Sequence, residues 1–510
     1  MNTESRTINA TRNILWGYIA SFSRIILEFV LRTVFIQQIG STYLGVNGLY
    51  TNVLGILSLS ELGIGTSMNF SLYRPVAEND TEKIKSLMKF YCKAYRIIAM
   101  AVAVMGIVMI PFLPVIIKNA DSITQNELII YYLIYLFNTV TSYCVSYKYS
   151  LVNAYQHNYI ITKIEMYFKC ITIFAQIIVL FVFKNFLMYL LIQALIGIVQ
   201  KIFLSIYIDK KYPILRDRNV SAISEDDKKL LKDNVKGTLV HKLGEAAIYQ
   251  TDNIIISSFI SITLVGYVSN YTLVINAVAT FTNAIFNSLI SGYGNFIVKE
   301  SRERQEELLY INQFLSFVIY GFVTVCLFIL IQPFITVWLG AEHKIDNFSA
   351  YLMMINVYFS GERLMLGNYK TAAGIFLQDR WITVLRSILN IVLSVVFVKL
   401  IGLPGIYLGT VIQGIVGNLF TPAIVYKNMF NKTSHRYYLN SLKYLSAMAI
   451  MLAVTYAVSI NTFKTETVTS FVITVMATVV ITGIVYLVFF WNNKYFLILR
   501  QKASALIYRN

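Results

Sequence analysis

The chain has 510 residues, of which 57% are hydrophobic and only 14% are charged, and its formal net charge is +17. Soluble globular domains carry about 25% charged residues, so this composition excludes an ordinary soluble enzyme or binding domain. The four cysteines lie in or beside apolar segments without metal-ligand spacing, which is typical of small buried side chains and not of a disulfide framework or a metal site.

Apolar blocks of about 20 residues recur along the whole chain, and this is the length of helix that crosses a bilayer. The pattern predicts an all-α integral membrane protein with about fourteen transmembrane helices. The predicted spans, in chain order, cover 13–38, 45–72, 93–117, 128–152, 160–183, 186–208, 237–260, 264–296, 309–331, 350–370, 381–401, 404–426, 440–460 and 468–490.

Lysine and arginine are concentrated in every second loop between these spans, most densely in 209–236. Loops rich in lysine and arginine resist translocation, so we expect the basic loops and both termini to be cytoplasmic. The positive net charge therefore indicates membrane topology, and it does not indicate a nucleic-acid partner.

An internal repeat appears when the sequence is shifted by 221 residues. The residues that then coincide are Asn13 with Asn234, Ile39 with Ile260, Gly45 with Gly266, Tyr50 with Tyr271, Thr51 with Thr272 and Val53 with Val274. At a shift of 222, YKYSLVNAYQHNYI (147–160) meets YKTAAGIFLQDRWI (369–382). Matches at nearly one offset predict a duplicated unit, although two similar helix pairs without shared function remain an alternative.

The repeat predicts the domain organisation. Residues 1–208 and 237–430 are expected to form two parallel six-helix lobes around a central cavity, joined by a cytoplasmic linker at 209–236. Residues 431–510 are expected to form two additional helices and a cytoplasmic tail. Transporters built from parallel repeats place their substrate site between the halves.

The first span contains three charged residues inside an apolar segment, Arg24, Glu28 and Arg32. Their i, i+4, i+8 spacing places them on one face of a helix. A charge at membrane depth is costly and therefore faces a bundle interior or a water-filled cavity. Two arginines around one glutamate favour an anion-binding wall, and a structural ion ladder to neighbouring helices is the alternative.

The seventh span is the repeat partner of the first, and it contains His241, Glu245 and Asp252. Their i, i+4, i+11 spacing predicts one helix face. Two carboxylates and a histidine are able to bind Na⁺ or H⁺ and couple it to movement. The alternative is that the cytoplasmic start of this span is simply solvated.

Three further cations are candidates for substrate binding. Lys148 and Lys370 are repeat equivalents near the cytoplasmic ends of spans 4 and 10. They are expected either to extend to the membrane interface or to flank a cavity mouth and receive phosphate. Arg363 lies deeper in span 10.

Two long stretches resemble a known family. YLGVNGLYTNVLGILSLSELGIGTSMNFSLYRPVAENDTEKIKSL (43–87) is similar to the region around the second helix of bacterial O-antigen and capsule flippases. AGIFLQDRWITVLRSILNIVLSVVFVKLIGLPGIYLGTVIQGIVGNLFTPAIVYKNMF (373–430) is similar to their helices 11 and 12. The chain thus resembles the polysaccharide transporter family of the multidrug/oligosaccharidyl-lipid/polysaccharide exporter superfamily.

The resemblance implies a flippase, not an enzyme, in the bacterial cytoplasmic membrane. Its substrate would be an undecaprenyl-diphosphate-linked oligosaccharide repeat unit, carried from the inner to the outer leaflet by alternating access for O-antigen or capsule assembly. Glycan polymerase and glycosyltransferases would be its partners, and it would need no cofactor apart from a coupling Na⁺ or H⁺. Relatives use arginines of the first helix, and Arg24 and Arg32 lie in the matching helix.

Three other functions are alternatives to a flippase. A cation-coupled drug or small-molecule antiporter of the same superfamily would be expected to have an acidic cavity, whereas the first span is net positive. A carrier of the major facilitator type would have a Gly-x-x-x-Asp-Arg loop after its second helix, which this sequence lacks. A membrane scaffold for glycan-assembly enzymes would not need intramembrane arginines.

Overall fold

The computed structural model describes residues 3–58, 64–120, 123–217, 222–375, 378–462 and 467–507, and these contain helices and no strand. The prediction of an all-α protein is confirmed. The helices of the N-terminal half are α1 (Thr3–Ile39), α2 (Ser41–Leu57), α3 (Ile64–Glu78), α4 (Thr81–Met109), α5 (Leu113–Ile116), α6 (Gln125–Ala154), α7 (Asn158–Phe183), α8 (Phe186–Lys211), α9 (Glu225–Tyr249) and α10 (Asp252–Phe259).

The second half of the chain continues the helical pattern. Its helices are α11 (Ile262–Ser288), α12 (Ile290–Lys299), α13 (Arg302–Ser316), α14 (Phe322–Leu339), α15 (Asn347–Ala372), α16 (Arg380–Ile401), α17 (Leu403–Val425), α18 (His435–Thr462), α19 (Val468–Phe490) and α20 (Lys494–Ile507). Short π-helical segments join α13 to α14 and extend α17.

Ten helical segments within the described residues are long and apolar enough to cross a membrane. The predicted spans 13–38 and 350–370 are also helical, as parts of α1 and α15, but they contain charged residues that lower their hydropathy. The span predicted at 237–260 is divided between α9 and α10. The span at 45–72 is divided between α2 and α3, and residues 59–63 lie outside the described part.

The chain forms two compact units, an N-terminal unit (Met1–Gly266) and a C-terminal unit (Tyr267–Asn510). The N-terminal unit therefore extends beyond the lobe predicted at 1–208. The reason is local: Asn52 donates a hydrogen bond to the Gln250 carbonyl (3.2 Å) and Asn119 to the Ile260 carbonyl (3.0 Å). These bonds attach α10 and its flanking turns to the unit. The repeat-based lobe boundaries stay a prediction.

Repeat-equivalent residues of α2 and α11 contact each other within the N-terminal unit. The hydroxyls of Thr42 and Thr263, 221 positions apart, lie 2.9 Å from each other. A side chain added to Gly45 or to Gly266, also 221 positions apart, would overlap the backbone of the opposite helix. Equivalent positions of the two segments therefore lie opposite each other. The glycines permit the close backbone approach.

The C-terminal unit is built around an aromatic core that includes the two additional helices, α18 and α19. The rings of Phe317 and Tyr444 stack with centroids 4.8 Å apart, and Phe490 meets Phe317 edge-on at 5.1 Å. Offset and edge-on ring pairs stabilise a core beyond the burial of their area. This packing makes α18 and α19 part of the C-terminal unit and not a separate appendage.

Candidate substrate-binding cavity

A cavity of about 680 Å³ lies inside the N-terminal unit, among α1, α2, α6, α7 and α8. Ligand sites in proteins have volumes in this range. Its lining is mostly polar, and the polar side chains are Arg24, Glu28, Arg32, Asn47, Thr51, Asn138, Glu165, Lys169, Thr172, Gln176, Tyr189, Gln193, Gln200 and Lys201.

The charged groups of the cavity lining give it an excess of positive charge. The cations are Arg24, Arg32, Lys169 and Lys201, and the carboxylates are Glu28 and Glu165. Four cations and two carboxylates leave a net charge of +2. Because a charge in apolar surroundings is costly, the concentration of six such groups around one hollow indicates that the hollow holds water or a polar ligand.

The three charged residues predicted on one face of the first span all line this cavity. Arg24, Glu28 and Arg32 project from successive turns of α1 into the same hollow. The helical periodicity is the cause, since residues four positions apart lie one above another. The structure thus brings the predicted residues together and beside open space, as an anion-binding wall requires.

Glu28 has a partner outside its own helix. The Lys169 ammonium, on α7, lies 3.5 Å from the Glu28 carboxylate, and both side chains are partly exposed to the cavity. This pair links α1 to α7, so one part of the ion-ladder alternative is present in the structure. Arg24 lies in the electrostatic field of Glu165, also on α7.

Lys201, on α8, is held by neutral groups. Its ammonium donates hydrogen bonds to the Asn138 carbonyl (2.8 Å) and to the Thr141 hydroxyl (2.7 Å). No carboxylate of the described residues lies within ion-pair distance of it. Neutral acceptors fix the position of the ammonium without neutralising it, so Lys201 adds to the positive charge of the cavity lining.

Uncharged donors and aromatic rings complete the walls. Gln176 is buried and donates a hydrogen bond to Gln193 (3.0 Å). Phe35 meets Tyr189 edge-on at 5.0 Å and Phe186 at 5.9 Å. Amides and a phenol beside an apolar base suit hydroxyl-rich ligands, because sugars present both hydroxyl groups and C–H faces.

Three charged residues of this cavity are not among the site residues predicted from the sequence: Glu165, Lys169 and Lys201. They lie within the apolar spans predicted at 160–183 and 186–208. Arg24 and Arg32 are predicted site residues because they are charged and lie inside a membrane-spanning segment. The same property marks these three residues.

The structure places Lys148 and Lys370 in buried ion pairs and not among the residues that line the cavity. The Lys148 ammonium lies 2.6 Å from the Asp209 carboxylate and 2.7 Å from the Ser205 hydroxyl. Lys370 pairs with Asp379. A lysine already neutralised by a carboxylate attracts a phosphate weakly, so this geometry favours a structural role for both.

Arg363 belongs to the C-terminal unit. Its guanidinium donates hydrogen bonds to the Ser360 hydroxyl (2.7 Å) and to Asn356 (3.3 Å), within its own helix α15. It packs beside Gly414 of α17. These contacts give it a helix-packing environment, and its predicted role in substrate binding stays a prediction.

The predicted ion-coupling residues occupy two helices. Glu245, on α9, is half-exposed and pairs with Lys242 at 2.9 Å. Asp252 begins α10, after α9 has ended at Tyr249. Because the helix is interrupted between Glu245 and Asp252, the spacing along the sequence does not by itself place the two carboxylates on one helix face. The side chain of His241 lies outside the described residues.

No protein-family model matches the chain, and no curated protein sequence matches it. Several solved structures, however, are similar to it in fold. The lipid II flippase MurJ, in an inward closed conformation, superposes with a TM-score of 0.65 at 15% identity, covering 94% of this chain and 99% of that chain.

Two further solved structures share the fold. An inward-facing multidrug resistance MATE family transporter of the MOP superfamily has a TM-score of 0.61 at 15% identity, covering 78% of this chain and 93% of its own. A MOP superfamily transporter from Pyrococcus furiosus, described as having a binding pocket of reversed polarity, has a TM-score of 0.51 at 13% identity, covering 82% and 96%. These neighbours are membrane transporters and not enzymes, and the chain has their fold. The polysaccharide transporter family stays a prediction.

Proposed function

We propose that this protein is a flippase for an undecaprenyl-diphosphate-linked oligosaccharide, which it moves from the inner to the outer leaflet of the bacterial cytoplasmic membrane by alternating access. The observation that carries the proposal is the cavity in the N-terminal unit, whose charged lining has a net charge of +2. A surplus of cations at membrane depth is unfavourable unless an anion occupies the site.

The chemistry of the lining fits the headgroup of such a lipid. Arginine binds phosphate through two parallel hydrogen bonds, whereas lysine acts as a point charge. Arg24 and Arg32 would bind the diphosphate, and Lys169 and Lys201 would add to the positive potential. Gln176 and its neighbouring amides would bind the first sugar, while the polyprenyl chain stays in the bilayer.

Alternating access follows from differential binding. A substrate moves a conformational equilibrium only by binding one state more tightly than the other. The cations would bind the diphosphate on the cytoplasmic side, and the outward state would release it. Glycosyltransferases would make the substrate and a glycan polymerase would use it for O-antigen or capsule assembly. Lipid II, the substrate named for MurJ, is also lipid-linked.

A cation-coupled drug or small-molecule antiporter is the second candidate, because the fold is equally shared with multidrug MATE transporters. The two candidates differ in the charge of the substrate. A lining with a surplus of cations repels the cationic dyes that test for drug export. Coupling to Na⁺ or H⁺ through His241, Glu245 and Asp252 stays a prediction for either candidate.

A binding experiment on the purified full-length protein separates these candidates. Undecaprenyl diphosphate, undecaprenyl monophosphate, undecaprenol and the cation ethidium are compared as ligands. We expect affinity to fall in that order, and Arg24→Gln with Arg32→Gln to remove most of the preference for diphosphate over undecaprenol. Tighter binding of ethidium than of the diphosphate would overturn the proposal. Transport is then followed with a fluorescent lipid-linked saccharide in proteoliposomes.

A further inference from the structure

A second cationic cavity, of about 660 Å³, lies at the polar end of α4, apart from the site above. One wall consists of basic side chains of α4: Lys85, Lys89, Lys93 and Arg96. Their spacing of four, four and three residues places all of them on one helix face. The apolar stretch that follows, 97–116, begins directly after the last of them.

The opposite wall of this cavity is formed by residues 214–217 and 222–223, the described residues of the connection between α8 and α9 that line it, and apart from Asp217 their lining side chains are apolar. Ile214, Leu215 and Ile223 line the cavity from this segment. Two ion pairs attach this part of the chain to α4: Lys85 lies 2.8 Å from the carboxylate of Asp217, and Lys83 lies 3.0 Å from that of Asp227, in the first turn of α9. Cations on one side and aliphatic side chains on the other make the cavity amphipathic.

Part of the positive charge in this cavity is not neutralised. Lys85 forms ion pairs with Asp217 and with Glu82, each at 2.8 Å. Lys93 and Arg96 are exposed, and no carboxylate of the described residues lies within ion-pair distance of either. Charges that merely set membrane topology need only lie in a loop, whereas these two cations lie in the wall of a hollow, where they favour the binding of an anion.

We propose that this cavity binds a phosphate group, carried by the headgroup of an anionic phospholipid. Basic pockets beside membrane helices bind anionic headgroups, and each lysine or arginine near the membrane surface contributes to that attraction. Lys93 and Arg96 bind the phosphate, and Leu215 and Ile223 contact the first methylene groups of the acyl chains. The aliphatic wall favours a lipid over a soluble phosphate ester. This inference is independent of the transported substrate.

The test measures lipid binding to the full-length protein in neutral detergent, by native mass spectrometry and ligand-dependent thermal unfolding. Phosphatidylglycerol is compared with zwitterionic phosphatidylcholine and with soluble glycerol 3-phosphate. We expect phosphatidylglycerol to bind, and the double variant Lys93→Gln, Arg96→Gln to weaken this binding about tenfold or more. The charge-conserving variant Lys93→Arg, Arg96→Lys should retain it.

The matched control removes the same charge elsewhere. Lys299 and Lys427 are exposed and lie outside the cavity, so Lys299→Gln with Lys427→Gln should leave phosphatidylglycerol binding unchanged. An equal loss in this control would overturn the proposal, as would equal binding of phosphatidylcholine to the unmodified protein. Binding of glycerol 3-phosphate with the same dependence on Lys93 and Arg96 would support the phosphate site and assign it to a soluble ester.

Discussion

Two neutralising substitutions of opposite sign test the cationic cavity most directly. Lys201→Gln lowers the net charge of the lining from +2 to +1, and Glu165→Gln raises it to +3. We expect the first to weaken the binding of undecaprenyl diphosphate and the second to strengthen it. Glutamine is chosen at position 201 because its amide is still able to donate to the Asn138 carbonyl or the Thr141 hydroxyl, which now hold the ammonium.

The size of the effect follows from the dimensions of the cavity. A sphere of about 680 Å³ has a radius of about 5.5 Å. This volume is the space open to the centre of a water molecule, so the radii of that water and of the charged group add about 2.5 Å, and a charge on the wall lies about 8 Å from a ligand phosphate at the centre. With an effective dielectric constant of about 20 to 40 at this partly hydrated site, one unit charge contributes about 1–2 kcal/mol. Each substitution should therefore change the Kd about 5- to 30-fold, in opposite directions.

The assay is equilibrium binding of undecaprenyl diphosphate to the purified variants at low and high salt. Both shifts should shrink as salt screens the cavity charges. Lys184→Gln is the control, because Lys184 is exposed and lies outside the cavity. If Lys201→Gln and Glu165→Gln both weaken binding, or if neither changes it, the electrostatic account of the cavity is wrong and the ion-ladder alternative is favoured.

Three more predictions address the α1 face, a buried ion pair and the repeat contact. Arg24→Ala or Arg32→Ala should abolish export in a complementation assay while protein levels on immunoblots stay near normal. Lys148→Met should lower stability by about 2–4 kcal/mol in thermal unfolding, because it leaves the Asp209 carboxylate uncompensated; adding Asp209→Asn should restore much of the loss. Gly45→Leu should destabilise the protein by at least about 1–3 kcal/mol, because the side chain overlaps the backbone of α11.

Each of these predictions has an outcome that contradicts it. Loss of the Arg24→Ala protein itself would indicate a structural ladder. If Lys148→Met protein folds normally but has a strong export defect, the result would support a role of Lys148 in substrate binding. Gly17 has open space around it, so Gly17→Leu is the control for Gly45→Leu; equal melting temperatures of the two variants would show that the close approach of α2 and α11 contributes little.

Much of the fold could be predicted from the sequence because it depends on local properties. Hydropathy and helix length identified the membrane-spanning segments, and the i, i+4, i+8 spacing placed Arg24, Glu28 and Arg32 on one face. The break between α9 and α10 was not visible, because no glycine or proline marks it in the segment around Gln250.

The partners of the charged residues could not be predicted in the same way. Lys148 and Lys201 are both lysines inside apolar segments, yet the first meets the carboxylate of Asp209 and the second meets the neutral groups of Asn138 and Thr141. Which of them keeps its charge for a ligand depends on the neighbouring helices.

The sequence by itself determined that this is an all-α membrane protein, and it determined which face of α1 is charged, because both depend on residue spacing along one helix. Only the tertiary structure decided that Lys169 and Lys201 join that face around one hollow and that Lys148 and Lys370 are neutralised. The physical reason is that the free-energy cost of a charge at membrane depth depends on the groups that neighbouring helices place beside it. The packing of the helices determines which groups these are.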